Sequence, residues 1–571
     1  MHEFLKRRRT LTLPYLLQIA LIGMLAACQT GMPLTATAGL PTRTPTATSS
    51  LPAAEASQPP TAVNPNPTPT PEQPVRVWLD PALPKAITEP AAGWAEVQIV
   101  SDAADADFEL TYTNQNPAAT WVFALVAPFD TVLDEVSGDQ LRAFWQGQAD
   151  FPADSLVMSG PTLAALSASL GKPTLSVQTR LAEELVDAAW AQPSTWAVVP
   201  FEEIQPRWKV IAIDGLSPLH KDFDAASYLL SVGVGLVTPA GAKKGESASL
   251  HASLLQVLPP SNRLPEKLTT VVLTGVTAMV RATAKEMELY GITRPADEVG
   301  ALLREADITH ISNEIPFVAD CPPPRWVQEE GLVFCSDDRY MDLLREVGTD
   351  VVELTGDHFQ DFGPEAMLHT LELYDKEGWP YYGGGKDLAQ ARQPLKLTHN
   401  GNKIAFLGCN AKAPGYATAS ETNPGAYHCD MAYMTATVKQ LVSEGYLPIV
   451  TFQHVEVYQW EPTEQMAQDF QQMAEAGAVI VSGSQAHRPQ IVALDGGSLI
   501  HYGLGNLFFD QMGWFEDSDK AFIDRHVFYD GVYLGVELLT VQFFDYSQPV
   551  WMTPEARADL LGRLFTASAL R

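Results

Sequence analysis

Asp350-Val351-Val352-Glu353-Leu354-Thr355-Gly356-Asp357-His358-Phe359-Gln360-Asp361-Phe362-Gly363 is the stretch on which the reading of the fold turns. Val351, Val352 and Leu354 make a short, mostly apolar run with two β-branched side chains, the pattern of a buried strand. The run ends in a threonine and a glycine, and a carboxylate and an imidazole come directly after. Pro364 then opens a segment with Met367, Leu368, Leu371 and Tyr374 on one stripe, and Gly378 closes it, which predicts an amphipathic helix. Strand, polar loop and helix in succession make the unit of an α/β domain.

The same design recurs on both sides. Val271 to Gly275, Ile308 to Glu314, Ile449 to His454 and Val479 to His487 are each an apolar run ending in a polar or glycine-containing loop. Ligand crevices in open α/β sheets lie outside the carboxyl ends of the strands, so five sequence-distant clusters are expected to converge on one site. The two-residue period of a strand puts His454, Glu456 and Tyr458 on one face, whereas Asn313 and Glu314, being adjacent, diverge unless the chain turns. Gly383 to Gly385 lacks the lysine and hydroxyl of a phosphate loop and reads as a turn.

From about Leu268 to Gln511 these motifs resemble the CapA family of capsule and poly-γ-glutamate synthesis proteins. The opening stretch resembles the family's "fDvvslaNNHtlDyG". Tyr382 to Gly385 and Ala391-Arg392-Gln393-Pro394 are similar to its glycine turn and "eAr.P", and Gln453 to Tyr458 resembles "lHWG.EY" with one residue fewer. Gly483 to Pro489 resembles "GhHpHv", and Tyr502 to Asp510 resembles "YSLGNFvfd". The resemblance implies a fold similar to calcineurin-like metallophosphatases, four layers with a pair of β-sheets between helices. It also implies one or two divalent ions, Mn, Fe, Zn or Mg, that polarise a phosphoryl or carbonyl oxygen and generate hydroxide near neutral pH.

Matched residue by residue, the metal positions are Asn313, Glu314, Asp357, His358, His454 and His487, and acid–base roles fall to His358, His454 and Glu456. Asp361 is expected only to face the dipole of the helix after it. Asn506 either orients a loop or touches ligand. Three expected ligand positions are replaced: Val276 stands where the family has an aspartate, and Ser484 and Gln485 stand in the segment where it has histidines. Either the ligand set is rearranged around Glu314 and Asp357, or the domain is a non-catalytic relative.

The first half of the chain differs in character. Lys6 to Arg9 precede the apolar stretch Leu11 to Leu25, too short for a comfortable membrane span, and Leu25-Ala26-Ala27-Cys28 resembles the bacterial lipobox. Residues 1–28 thus read as a lipoprotein signal peptide, with a diacylglyceryl group expected on Cys28 and the protein held at the extracytoplasmic face of the cell membrane. Residues 29–74, rich in Thr, Pro, Ala and Ser, read as an extended tether. Residues 75–245 alternate strand-like and helical runs and resemble a periplasmic solute-binding fold. A linker over 246–266, the CapA-like domain over 267–545 and a C-terminal tail or helix over 546–571 complete the expected order.

An oxidising compartment and an even count point to disulfides among Cys321, Cys335, Cys409 and Cys429. Short loops favour Cys321 with Cys335 and Cys409 with Cys429, other pairings remaining open. The 571 residues carry 68 acidic against 37 basic side chains, a net charge of -31, which repels phosphate backbones and argues against a nucleic-acid partner. The expected function is synthesis, anchoring or release of an anionic cell-surface polymer such as poly-γ-glutamate. The alternatives are a secreted metal-dependent phosphoesterase acting on a phosphate-containing substrate, and a solute-binding protein with a non-catalytic CapA-like domain.

Overall fold

A computed structural model describes residues 74–148, 151–174, 176–239, 247–328, 331–415, 417–484 and 486–570. The expected signal peptide, Cys28 and the tether lie outside these residues. Among the described residues no helix is long and apolar enough to cross a membrane. Gln73–Arg571 forms one compact unit with a mixed α/β fold.

Its first half is built on a nine-stranded mixed sheet. Val75–Leu79 pairs in parallel with Val97–Val100 and Phe108–Tyr112, and Ser231–Val237 runs antiparallel between Phe108–Tyr112 and Ala119–Pro128. Ala119–Pro128 reads as one continuous apolar run because nine of its ten residues are buried. The stretch expected as a linker is built into this lobe. It contains the helix Ser247–Val257, whose Leu250 and Leu254 join the core, and Asn262, whose amide holds both backbone polar groups of Val122 at 2.8 and 2.9 Å. A buried amide with both ends satisfied fixes the crossing, because a misplaced chain would leave those groups unpaired.

The second half contains two larger sheets. One is nine-stranded, with the main order Tyr381–Tyr382, Val351–Glu353, Ile308–Asn313, Leu268–Thr274, Lys520–Tyr529, Val532–Phe543, Pro549–Trp551. The other is six-stranded, in the order Leu395–His399, Asn402–Asn410, Leu447–Gln453, Ile480–Gly483, Ser498–His501, Val492–Asp495.

Strand alternation assigns their faces. Val271, Leu273, Ile308 and Val351 of the first sheet meet Ile404, Phe406, Ile449, Ile480 and Leu499 of the second in one shared core. The neighbouring residues Val272, Ile311 and Val352 turn the other way, onto Leu344, Leu371 and Tyr374 of the helices Met341–Glu346 and Gly363–Glu377. Leu407, Val450, Val481 and Ile500 likewise turn onto the helices Met431–Ser443 and Glu464–Ala476. The succession is therefore helices, sheet, sheet, helices. Gly363–Glu377 carries Pro364 in its first turn and is ended by Gly378 at φ 76°, a left-handed position that a side chain would strain.

Disulfides join Cys321 to Cys335 and Cys409 to Cys429. The helix Pro554–Ser568 packs Leu560, Leu561 and Leu564 into the shared core.

Candidate active site

The loops that leave the carboxyl ends of strands in both sheets meet at one place. Glu314 comes after the strand Ile308–Asn313, and Asp357 and His358 come after Val351–Glu353. Lys412 lies beyond Asn402–Asn410, Gln453 ends Leu447–Gln453 with Glu456 just past it, and His487 lies beyond Ile480–Gly483. The close approach of the first two loops depends on Gly356, where a Cβ would stand 2.4 Å from the carbonyl oxygen of Glu314.

Two carboxylates face one amide across the gap between the sheets. Gln453 Nε2 donates to Glu314 Oε1 at 3.1 Å and to Asp357 Oδ1 at 2.9 Å. The other oxygen of Asp357 accepts from Lys412 Nζ at 2.7 Å, and the same ammonium lies 3.5 Å from Glu456 Oε1. Lys412 is held in place from behind. Its backbone N–H donates to Asn410 Oδ1 at 2.9 Å, Ala411 N–H donates to the carbonyl of Gln453 at 2.8 Å, and the Cys409–Cys429 bridge ties the loop to the strand. Asn410 Nδ2 also donates to the carbonyl of Thr355 at 2.8 Å, so one residue joins the lysine loop to the loop that carries Asp357.

His358 is oriented by Asp361, whose Oδ2 accepts from Nδ1 at 2.7 Å and also takes the backbone N–H of Phe334 at 2.7 Å. Burial works against the charged imidazole, but the bond to Asp361 and the charges of Glu314 and Asp357 outweigh it and raise the pKa of His358 to about 8. Burial likewise opposes ionisation of Asp357, and the Lys412 and His358 charges prevail and hold its pKa below the usual carboxylate range. For Glu456 the opposing burial is overcome chiefly by the charge of His487 and the 2.7 Å hydrogen bond from Tyr458, so this pKa also lies low. His487 completes the group, with Nδ1 2.8 Å from Asn506 Oδ1, Nε2 4.0 Å from Glu456 Oε1 and its ring against Phe509.

Not every expected residue points here. Val455 N–H donates to Nδ1 of His454 at 2.9 Å, so the ring proton sits on Nε2, which faces Asp469 Oδ2 of the helix Glu464–Ala476 at 3.1 Å. Both nitrogens are thus occupied, and His454 is neither a ligand nor an acid at this site. Asn313 is also displaced from the expected ligand set. Its Nδ2 donates to the carbonyl of Ile315 and to Tyr374 Oη at 2.8 and 2.7 Å, on the helix side of its strand, and its Oδ1 is buried with no hydrogen-bond partner among the described residues, while Glu314 turns to the loops. Asp361, expected only to face a helix dipole, positions His358.

Residues 259–511 match the family model described as "Bacterial capsule synthesis protein PGA_cap". The Capsule biosynthesis protein CapA of Bacillus anthracis is 23% identical over 275 residues, 48% of this chain and 66% of that protein. The PGA biosynthesis protein CapA of Bacillus subtilis (strain 168) is 27% identical over 187 residues, 32% of this chain and 49% of that protein. The chain carries a CapA-family domain. It spans 66% of one curated relative and 49% of the other. Among solved structures, a 5'-nucleotidase precursor from Thermus thermophilus aligns at 15% identity over 53% of this chain and 58% of its own, with a TM-score of 0.30.

The geometry re-registers one CapA motif. Phe452-Gln453-His454-Val455-Glu456-Val457-Tyr458 has the length of "lHWG.EY" and sets tyrosine on tyrosine when Gln453 takes the histidine position, the motif's glutamate then falling on Val457 and not on Glu456. That amide is the side chain in the site.

The donor set does not fit the metal pair that the resemblance implies. Val276 is buried among apolar residues, Gln453 presents amide hydrogens to the carboxylates, and Ser484 donates to Glu353 Oε1 at 2.8 Å between the sheets. Gln485 lies outside the described residues. Glu314, Asp357 and His358 keep donor atoms within 4.8 Å of one another, but Lys412 is already bonded to the Asp357 carboxylate. Lys412 has no motif to mark it, although Asn402–Asn410 is another apolar run ending in polar residues and would have drawn attention to the loop beyond it.

Proposed function

We propose that this chain acts at the cell surface in the synthesis, anchoring or release of an anionic capsular polymer such as poly-γ-glutamate, tethered through a lipid on Cys28. The cluster of Glu314, Asp357, His358, Lys412, Glu456 and His487 in the CapA-family domain is its working site, and the convergence of these groups at strand ends of both sheets is the observation that carries the reading. In this reading the domain is a metallophosphatase-like scaffold, and the lobe at 75–245 is a solute-binding-like module that presents the polymer or a precursor.

A chain of net charge -31 needs local positive charge to meet a polyanion. A groove of 810 Å³ bordered by the Cys321–Cys335 bridge brings Lys285 and Arg325 together with Arg281, which is paired with Asp510, and Arg339, which is paired with Glu288 and Asp337. Phe334, between the groove residues Val333 and Cys335, has its ring 4.6 Å from that of His358, so the groove adjoins the site. His358 and Lys412 continue the positive line inward. The test is replacement of the chromosomal gene by a Glu314→Gln/Asp357→Asn variant that reaches the surface in normal amount. Loss of surface polymer is expected, and polymer at the wild-type level refutes the assignment.

A further inference from the structure

We infer that Lys412 is the resident cation of this site and takes the place that a divalent metal would hold between Asp357 and its neighbouring carboxylates. The inference rests on the cluster being the working site but not on which polymer is handled, and it is read by cation binding rather than by turnover.

The argument begins with charge. Glu314, Asp357 and Glu456 converge from three different loops, with Gln453 Nε2 bridging the first two and Lys412 Nζ spanning the last two. Three carboxylates brought this close and partly out of water repel one another unless a proton, a metal or an ammonium lies among them. Lys412 Nζ is 2.7 Å from Asp357 Oδ2, a full charge-assisted hydrogen bond, and Asp357 belongs with Glu314 and His358 to the group that could otherwise hold an ion. An ion on Asp357 would have to displace a like-charged group.

Position supports the same conclusion. The lysine side chain is mostly buried, and its backbone is fixed by Asn410, by the Gln453 carbonyl and by the Cys409–Cys429 bridge. A surface lysine that wandered onto the site would need none of these. Two further substitutions remove competing donors. Val276 lacks any, and Gln453 turns hydrogens, where an imidazole would turn a lone pair, toward Glu314 and Asp357. Retained carboxylates, lost imidazoles and a fixed ammonium together describe a site whose positive charge is covalently attached.

The test compares manganese binding by calorimetry in the ectodomain of the wild type, Lys412→Met, Lys412→Arg and Lys412→Met/Asp357→Asn, with thermal unfolding followed with and without the ion. Removing the ammonium should tighten manganese binding by at least about tenfold, since a unit charge at contact distance is worth more than that even in a well-screened site. Lys412→Arg should bind as weakly as the wild type, and the double variant should lose the gain. If Lys412→Met folds poorly on its own, recovery of its unfolding midpoint by manganese, absent in the double variant, gives the same answer. Wild type binding as tightly as Lys412→Met, a gain in Lys412→Arg equal to that in Lys412→Met, or no uptake by any form overturns the inference.

Discussion

Replacing Asp361 by asparagine should return His358 to a lower pKa and remove a pH-dependent part of the stability. The carboxylate is fully buried and 2.7 Å from Nδ1, and it leads the influences that lift His358 from 6.5 to about 8 against burial. That difference is worth about 2 kcal/mol. Little discount for solvent is needed, because the imidazole side chain is 17% exposed. The sign comes from proton counting. Between 6.5 and about 8 the folded chain keeps a proton that the unfolded chain has released, so this contribution is complete below 6.5 and lost as pH rises through about 8. Asparagine keeps the acceptor for Phe334 N–H and removes the charge, leaving burial opposed only by the charges of Glu314 and Asp357. The assay is ring-proton NMR titration of His358 in both forms, with denaturant unfolding at pH 6 and pH 9. The difference between the forms isolates His358 from Lys209, another group near 8. A variant whose His358 still titrates at about 8 would refute the reasoning.

Three other outcomes are expected. Arg281 and Asp510 form a buried pair at 2.5 Å, so Asp510→Ala should cost about 3–5 kcal/mol in denaturant unfolding, and adding Arg281→Met should recover most of it because no unpaired charge remains. Breaking the Cys409–Cys429 bridge, which spans 20 residues, should cost about 3 kcal/mol and speed amide exchange in the loop that carries Lys412, read by calorimetry and exchange mass spectrometry. His310 and His526 are fully buried, and their pKa values are pushed down to about 3 and about 4 by burial. The unfolded chain therefore binds more protons below 6.5, stability should fall as pH drops from 6.5 toward 4, and His526→Gln should flatten that slope in acid unfolding curves.

Much of the second half could be read from the sequence because its strands announce themselves twice, by apolar runs and by the polar loops at their ends. Val351 to Glu353 and the helix after it are local patterns, set by side-chain period and by Pro364 and Gly378. The placement of the candidate site was legible as far as it kept to those patterns. Glu314, Asp357 and His358 stand directly at strand ends, where position fixes direction. His454 does not obey this logic, because the strand ends at Gln453 and the chain turns, sending the imidazole back to Asp469. The two-residue period holds only as far as Gln453, one residue short of that histidine. The 246–266 stretch is a different case. Its prolines suggest a free connector, yet Asn262 and the helix before it are held by contacts with Val122 and Trp94, more than a hundred residues away in the chain, which no local pattern announces.

The charges of the site make one system. Asp357 and Glu456 are both held below the usual carboxylate range, and their opposite charges come from Lys412, His358 and His487, each fixed by a partner that lies behind it. A metal centre can lose its charge to the solvent, whereas here the cations are on the chain and the anions keep one another in register. Losing any one member leaves a buried charge uncompensated, and that penalty exceeds the modest worth of the pair itself. The same property suits a polyanion. An incoming carboxylate need not displace a bound ion, but it must compete with Asp357 for the Lys412 ammonium, so binding should be weak per residue and should accumulate along the basic groove. The proposed polyanion binding is therefore expected to strengthen with polymer length and to fall steeply with salt in calorimetric titration, whereas recognition of a single terminal residue in a closed pocket would show neither dependence.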